Sequence, residues 1–173
     1  MHPGDASLTW ETGEDITARA AFTCYAIGMA TMLRTDVARQ LVPFSTHTGH
    51  DMWLALGASV LGPCANIPET LVQYRRHGAN QTGALVGVSS KKDWYQSRTR
   101  DSAGVVADFA AVFPGHPALS EMQAFAEARV RRDIPGIWRH RDLAPDVARF
   151  EIALALCPDL LFRAALALWR RVY

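Results

Sequence analysis

The spacing of apolar and polar residues changes character near residue 90. Before it, short apolar runs alternate with Gly, Pro and polar clusters. Residues 1–20, MHPGDASLTWETGEDITARA, are polar and glycine-punctuated, so the first ordered element is expected after them. AFTCYAIGMATMLR (21–34) is rich in small, β-branched and aromatic residues, which predicts one or two strands. Gly28 in that run leaves room for close approach of backbone or ligand. TDVARQLVPF predicts a short helix, with Thr35 or Asp36 at its start and Pro43 as its stop. MWLALGASVL (52–61) is too apolar all round for a surface helix and predicts a buried one, ended by Gly62-Pro63. CANI (64–67) and LVQYRRH (71–77) read as two short strands joined at Pro68-Glu69, followed by the polar loop HGANQTG.

Beyond residue 90 the period is helical. KKDWYQSRTRDSAGVVADFAAVF sets Trp94, Val105, Phe109, Val112 and Phe113 at mostly helical spacings, and PALSEMQAFAEARVRR and DVARFEIALAL follow suit. PGHP and IPG punctuate the series. Three regions result: a polar segment 1–20, an α/β region 21–90 with a partial sheet and flanking helices, and a helical C-terminal appendage 91–173.

Composition narrows the function classes. The length of 173 residues suits a domain with a real core, and 18 Lys and Arg against 17 Asp and Glu give a net charge of +1. Nucleic acid is not an implied partner, and any basic surface must be local. Cys24, Cys64 and Cys157 lack metal-type spacing and fit a reduced, cytoplasmic setting. The first twenty residues do not follow a signal-peptide pattern. The last apolar stretch is broken by Pro158, Asp159 and Arg163, short of the roughly 18 residues needed to span a bilayer. That stretch has two readings: it lies on a membrane, peripheral at the inner face, or it packs on the domain with its arginines in water.

HTGHDMWLALGASVLG (47–62) concentrates the candidate chemistry. Asp51 immediately before an apolar run is what a helix N-cap requires. His47, His50, Asp51 and the later His77 offer imidazole and carboxylate ligands, although HxxHD is not helical ligand spacing. An adjacent His-Asp is also found in HD-type phosphohydrolases, which would need further metal ligands and an all-helical core around His50. The third role for Asp51 is a catalytic base.

That third role follows from an ordered set of motifs: GMATMLRTDVARQLVPF, then HDMWLAL, LG and IPETLVQYRRHGANQTG. This set resembles the C-terminal half of the catalytic domain in family 2 glycosyltransferases, particularly the bacterial rhamnosyltransferase-like members, over about residues 20–87. The resemblance implies a GT-A fold and inverting transfer of a sugar from a nucleotide-sugar donor to a glycan or lipid-linked acceptor. It makes Asp51 the general base, with His50 lining the acceptor side or orienting that carboxylate. Inversion needs such a base, and a helix N-terminus holds a carboxylate rigidly and favours its negative charge. In an alternating strand Arg75 and His77 share one face, and Tyr74 and Arg76 the other. His77 with either arginine is thereby a candidate for the donor diphosphate or its metal, against the reading of Arg75 and Arg76 as solvated edge charges. Trp53 is core or stacks on a sugar, Gly28 lines the acceptor side, and Asn80 lines it or merely turns the chain.

The resemblance also implies a divalent cation, Mg²⁺ or Mn²⁺, held by an Asp-x-Asp motif in an N-terminal donor-binding half. No Asp-x-Asp occurs in the sequence. The chain therefore reads as an acceptor-side half with a helical tail, truncated or completed by a partner or a second copy. The rival is a non-catalytic remnant or accessory module that binds glycan or protein.

Overall fold

The computed structural model describes residues 11–23, 26–73 and 87–172, the last four of these without their side chains. Its regular elements are helices. A short α1 (Thr17–Ala20) leads through a 3₁₀ turn, Gly28–Ala30, to α2 (Thr35–Gln40) and α3 (His50–Leu61). The rest is α4 (Lys91–Trp94), α5 (Arg100–Val112), α6 (Leu119–Arg131), α7 (Ile134–Arg139), α8 (Pro145–Leu156) and α9 (Asp159–Val172). One π turn, Tyr95–Thr99, joins α4 to α5 without interrupting the helix.

No strand occurs among the described residues, so the α/β GT-A-like sheet expected over 21–90 is corrected to a helical architecture. Ile27 and Thr31 do have extended backbones (φ −114°, ψ 124° and φ −119°, ψ 133°). Extended dihedrals become a strand only beside a partner, because β preference is mostly packing on a pleated surface. Here the hydrogen bonds stay local: the Thr31 N–H and hydroxyl donate to the Gly28 and Ile27 carbonyls. Residues 64–72 run along the surface with Ile67, Leu71 and Val72 exposed, and Pro68 removes a donor from any ladder. The expected strand at LVQYRRH is described only as far as Gln73, where it has no regular structure.

One apolar cluster draws on both halves of the chain. Ala20, Ala21 and Phe22 meet Leu41, Trp53 and Leu56 from the first half, and Val105, Val106, Phe109, Met122, Phe125, Ile137 and Ala148 from the second. Phe22 sits edge-on to Phe125 with ring centroids 4.8 Å apart. The buried positions follow helical spacing: Val105, Val106 and Phe109 on α5, and Met122, Phe125, Ala126 and Arg129 on α6.

Arg129 is a charge on that apolar stripe, and Glu151 of α8 answers it. Its Nη2 lies 3.0 Å from Glu151 Oε1, with side-chain exposures of 4% and 0%. Trp94 Nε1 donates to the same oxygen at 2.9 Å, and Arg129 Nη1 donates to Ser102 Oγ at 2.7 Å. The pair thus ties α4, α5, α6 and α8 together. At the end of α6, Arg132 takes the left-handed conformation (φ 59°) and lays its guanidinium 4.2 Å from the centre of the Tyr95 ring.

Candidate functional site

Helix α3 begins at His50, with Gly49 as its N-cap. Asp51 therefore lies one residue inside the helix and is not its cap. Its Oδ1 accepts the Met52 N–H at 2.9 Å, which satisfies one of the first-turn donors that helix geometry leaves open. Its Oδ2 accepts the Gly28 N–H at 3.3 Å, a bond across 23 residues of sequence. Gly28 begins the 3₁₀ turn and is itself exposed. A Cβ placed on Gly28 would stand 3.0 Å from His50 Nε2 and 3.7 Å from Asp51 Cβ. Gly28, His50 and Asp51 thus form one accessible shelf, and the exposed Met29 follows directly on the same turn.

The other predicted residues separate from this shelf. Trp53, left between core and sugar platform, is 2% exposed, and its indole N–H donates to the Leu41 carbonyl at 2.8 Å. Both its faces and its donor are taken up by the domain. His47 turns away from Asp51 and packs its ring on Gly104 of α5. Arg75, Arg76, His77 and Asn80 lie outside the described residues, as does Tyr74.

The shelf can exchange a proton and hydrogen-bond a hydroxyl: it offers a carboxylate fixed by two backbone N–H donors, an imidazole and open solvent on one side. It does not fit a resident cation. Among the described residues no three His, Cys, Asp or Glu side chains are placed to hold a metal ion. The helical surroundings of His50 are those an HD-type metal hydrolase would have, but its ligand set is not assembled among these residues.

A second concave surface escaped the sequence reading. A cleft of about 670 Å³ is lined by Lys91, Lys92, Arg100 and Arg132 together with Tyr95 and Gln96. The Lys-Lys pair is its only local sign in the sequence, because Arg100 and Arg132 reach it through the packing of α5 beside α6. Comparison with models of known protein families, with curated proteins and with solved structures found no match.

Proposed function

We propose that the shelf is the acceptor side of an inverting glycosyltransferase. In that reaction Asp51 takes the proton of the attacking hydroxyl as the hydroxyl displaces a nucleotide diphosphate from the sugar. The observation that carries this reading is the fixing of the Asp51 carboxylate by the Gly28 and Met52 N–H groups beside His50, at an open surface. A base must be held still and still reach solvent-borne substrate, and this carboxylate meets both conditions. The order of motifs around Gly28, His50 and Asp51 is the second support.

His50 positions the acceptor hydroxyl or the Asp51 carboxylate. The donor class is a nucleotide sugar and the acceptor a glycan or lipid-linked glycan, both taken from the resemblance. The described residues supply no site for a divalent cation on the donor diphosphate. On this reading the cation's ligands come from His77 and from a partner or second copy that completes the donor side.

One observation favours the second reading, a non-catalytic glycan- or protein-binding module. Beyond Met29, Met32 is 97% exposed and Phe44 is also exposed, which suits a surface that docks a partner.

Calorimetric titration with nucleotide diphosphates and nucleotide sugars, with and without Mn²⁺, followed by a sugar-transfer assay, separates the two. The enzyme reading expects transfer that falls on the order of 10²–10⁴-fold in Asp51→Asn, with the far-UV circular dichroism spectrum unchanged. Donor binding with no transfer, or transfer indifferent to Asp51→Asn, overturns the base assignment. A folded chain that binds glycan but no nucleotide supports the binding module.

A further inference from the structure

Helix α9 has apolar residues on more sides than its packing uses. Leu166 is buried and Phe162 half-buried, and the helix rests on α4. Leu161, Ala164, Ala165 and Leu168 follow at helical spacing and are exposed, with Leu161 at 58% and Leu168 at 64%. At the turn from α8 into α9, Leu156 and Leu160 are 73% and 77% exposed. No helix among the described residues is long and apolar enough to cross a membrane.

The basic cleft ends at that same turn. Ala155 is part of its wall. Lys91 donates from Nζ to the Ala155 and Cys157 carbonyls, at 3.3 and 2.6 Å, and from its backbone N–H to Asp159 Oδ1 at 3.1 Å. None of the residues lining the cleft is acidic. Of the carboxylates around it, Asp93 accepts from Ser89, Asp159 pairs with Arg163 and accepts the Lys91 N–H, and Asp101 and Asp133 adjoin Arg100 and Arg132 in sequence. Lys92 and Arg100 are exposed and make no ion pair among the described residues. Arg170 and Arg171 stand in the last turn of α9.

We infer that α9 and the adjoining cleft are a docking surface for an anionic phospholipid membrane, independent of the role of Asp51. Exposed leucines on an amphipathic helix bury in the acyl boundary, while neighbouring cations meet the headgroup phosphates. A second copy of the chain docked here about a two-fold axis would set cations against cations. An anionic bilayer complements the apolar face and the basic cleft together.

The test is flotation of the full chain with phosphatidylcholine vesicles, with and without phosphatidylglycerol. The expected result is binding to the anionic vesicles that weakens from about 0.1 M to 1 M salt, as the screening length falls from about 10 Å to 3 Å. Lys92→Ala with Arg100→Ala should lower partitioning about 25-fold, from about fivefold per cation. Leu161→Ser with Leu168→Ser should lower it on both kinds of vesicle. These four positions are exposed, and circular dichroism checks that each variant folds. No binding by the folded chain overturns the inference, as does binding indifferent to both pairs. Inorganic pyrophosphate bound at the cleft without vesicle association overturns it in favour of a soluble phosphate ligand. Self-association lost in the leucine variant, again without vesicle binding, overturns it in favour of a second copy.

Discussion

Arg129 and Glu151 show how much of this domain depends on two side chains. Each is buried, and each is the other's charge partner. Removing one leaves an uncompensated ion in the core, which costs about 3–5 kcal/mol, whereas replacing both with apolar residues of like volume is often neutral or better. Glu151→Ala should therefore lower the urea midpoint sharply, and Arg129→Met with Glu151→Leu should recover most of the loss. At the surface, Asp93 acts differently. Its carboxylate is held down to about 2, chiefly by the Ser89 hydroxyl and then by the Ser89 N–H. A depressed carboxyl favours the folded state above its unfolded value near 3.8, and that contribution disappears as pH falls toward 2. The stability difference between the protein and Asp93→Asn, read from urea midpoints, should accordingly shrink from pH 5 down to about pH 2.

At the scale of the element, α3 fits closely against Leu41. The Leu41 side chain occupies the space where a Cβ on Gly57 would go, and Leu41 is 1% exposed, so it has nowhere to move. Alanine in place of helical glycine ordinarily gains up to about 1 kcal/mol, but overpacking a full core costs about 1–3 kcal/mol. The packing cost wins, and Gly57→Ala should unfold at lower urea, with the loss reduced in a Leu41→Ala background. The helices α2, α3, α5, α6 and α8 were legible because their apolar residues repeat at helical spacing between clear stops. The sheet was misread because Ile27, Ile67, Leu71 and Val72 are strand-forming by type, while a strand depends on a neighbour that sequence does not reveal. The convergence of Gly28, His50 and Asp51 was legible in part: the motif order singled out all three. The hydrogen bond between Gly28 and Asp51, and the departure of His47 toward Gly104, are products of tertiary packing. Arg129 left a readable sign, a lone charge within the stripe Met122, Phe125 and Ala126, that periodicity alone passed over.

At the scale of the whole molecule, a shared cluster from Ala20 to Ala148 makes the first and second halves of the chain interdependent. In variants that keep Trp53 or Trp94 as the sole one of the five tryptophans, fluorescence reports on the first or the second half, while circular dichroism reports on all the helices. Their urea transitions should coincide, as expected when one core melts as a unit. Separate transitions would mean that the halves fold independently. The far-UV spectrum should be that of a helical protein.

The π turn at Tyr95–Thr99 has a consequence for how the chain can be edited. It holds about one residue more than an α-helical turn would, and one residue is worth about 100° of rotation about the axis. Trp94, ahead of it, faces Glu151 and Phe150; Val105 and Phe109, behind it, face the core. With the present number of residues those two alignments are incompatible on an uninterrupted α-helix. Gln96, exposed within the turn, contributes less by its side chain than by being counted. Changing its identity would leave both alignments in place, and so would deleting it, because loss of the extra residue closes the π turn to an α-helical one.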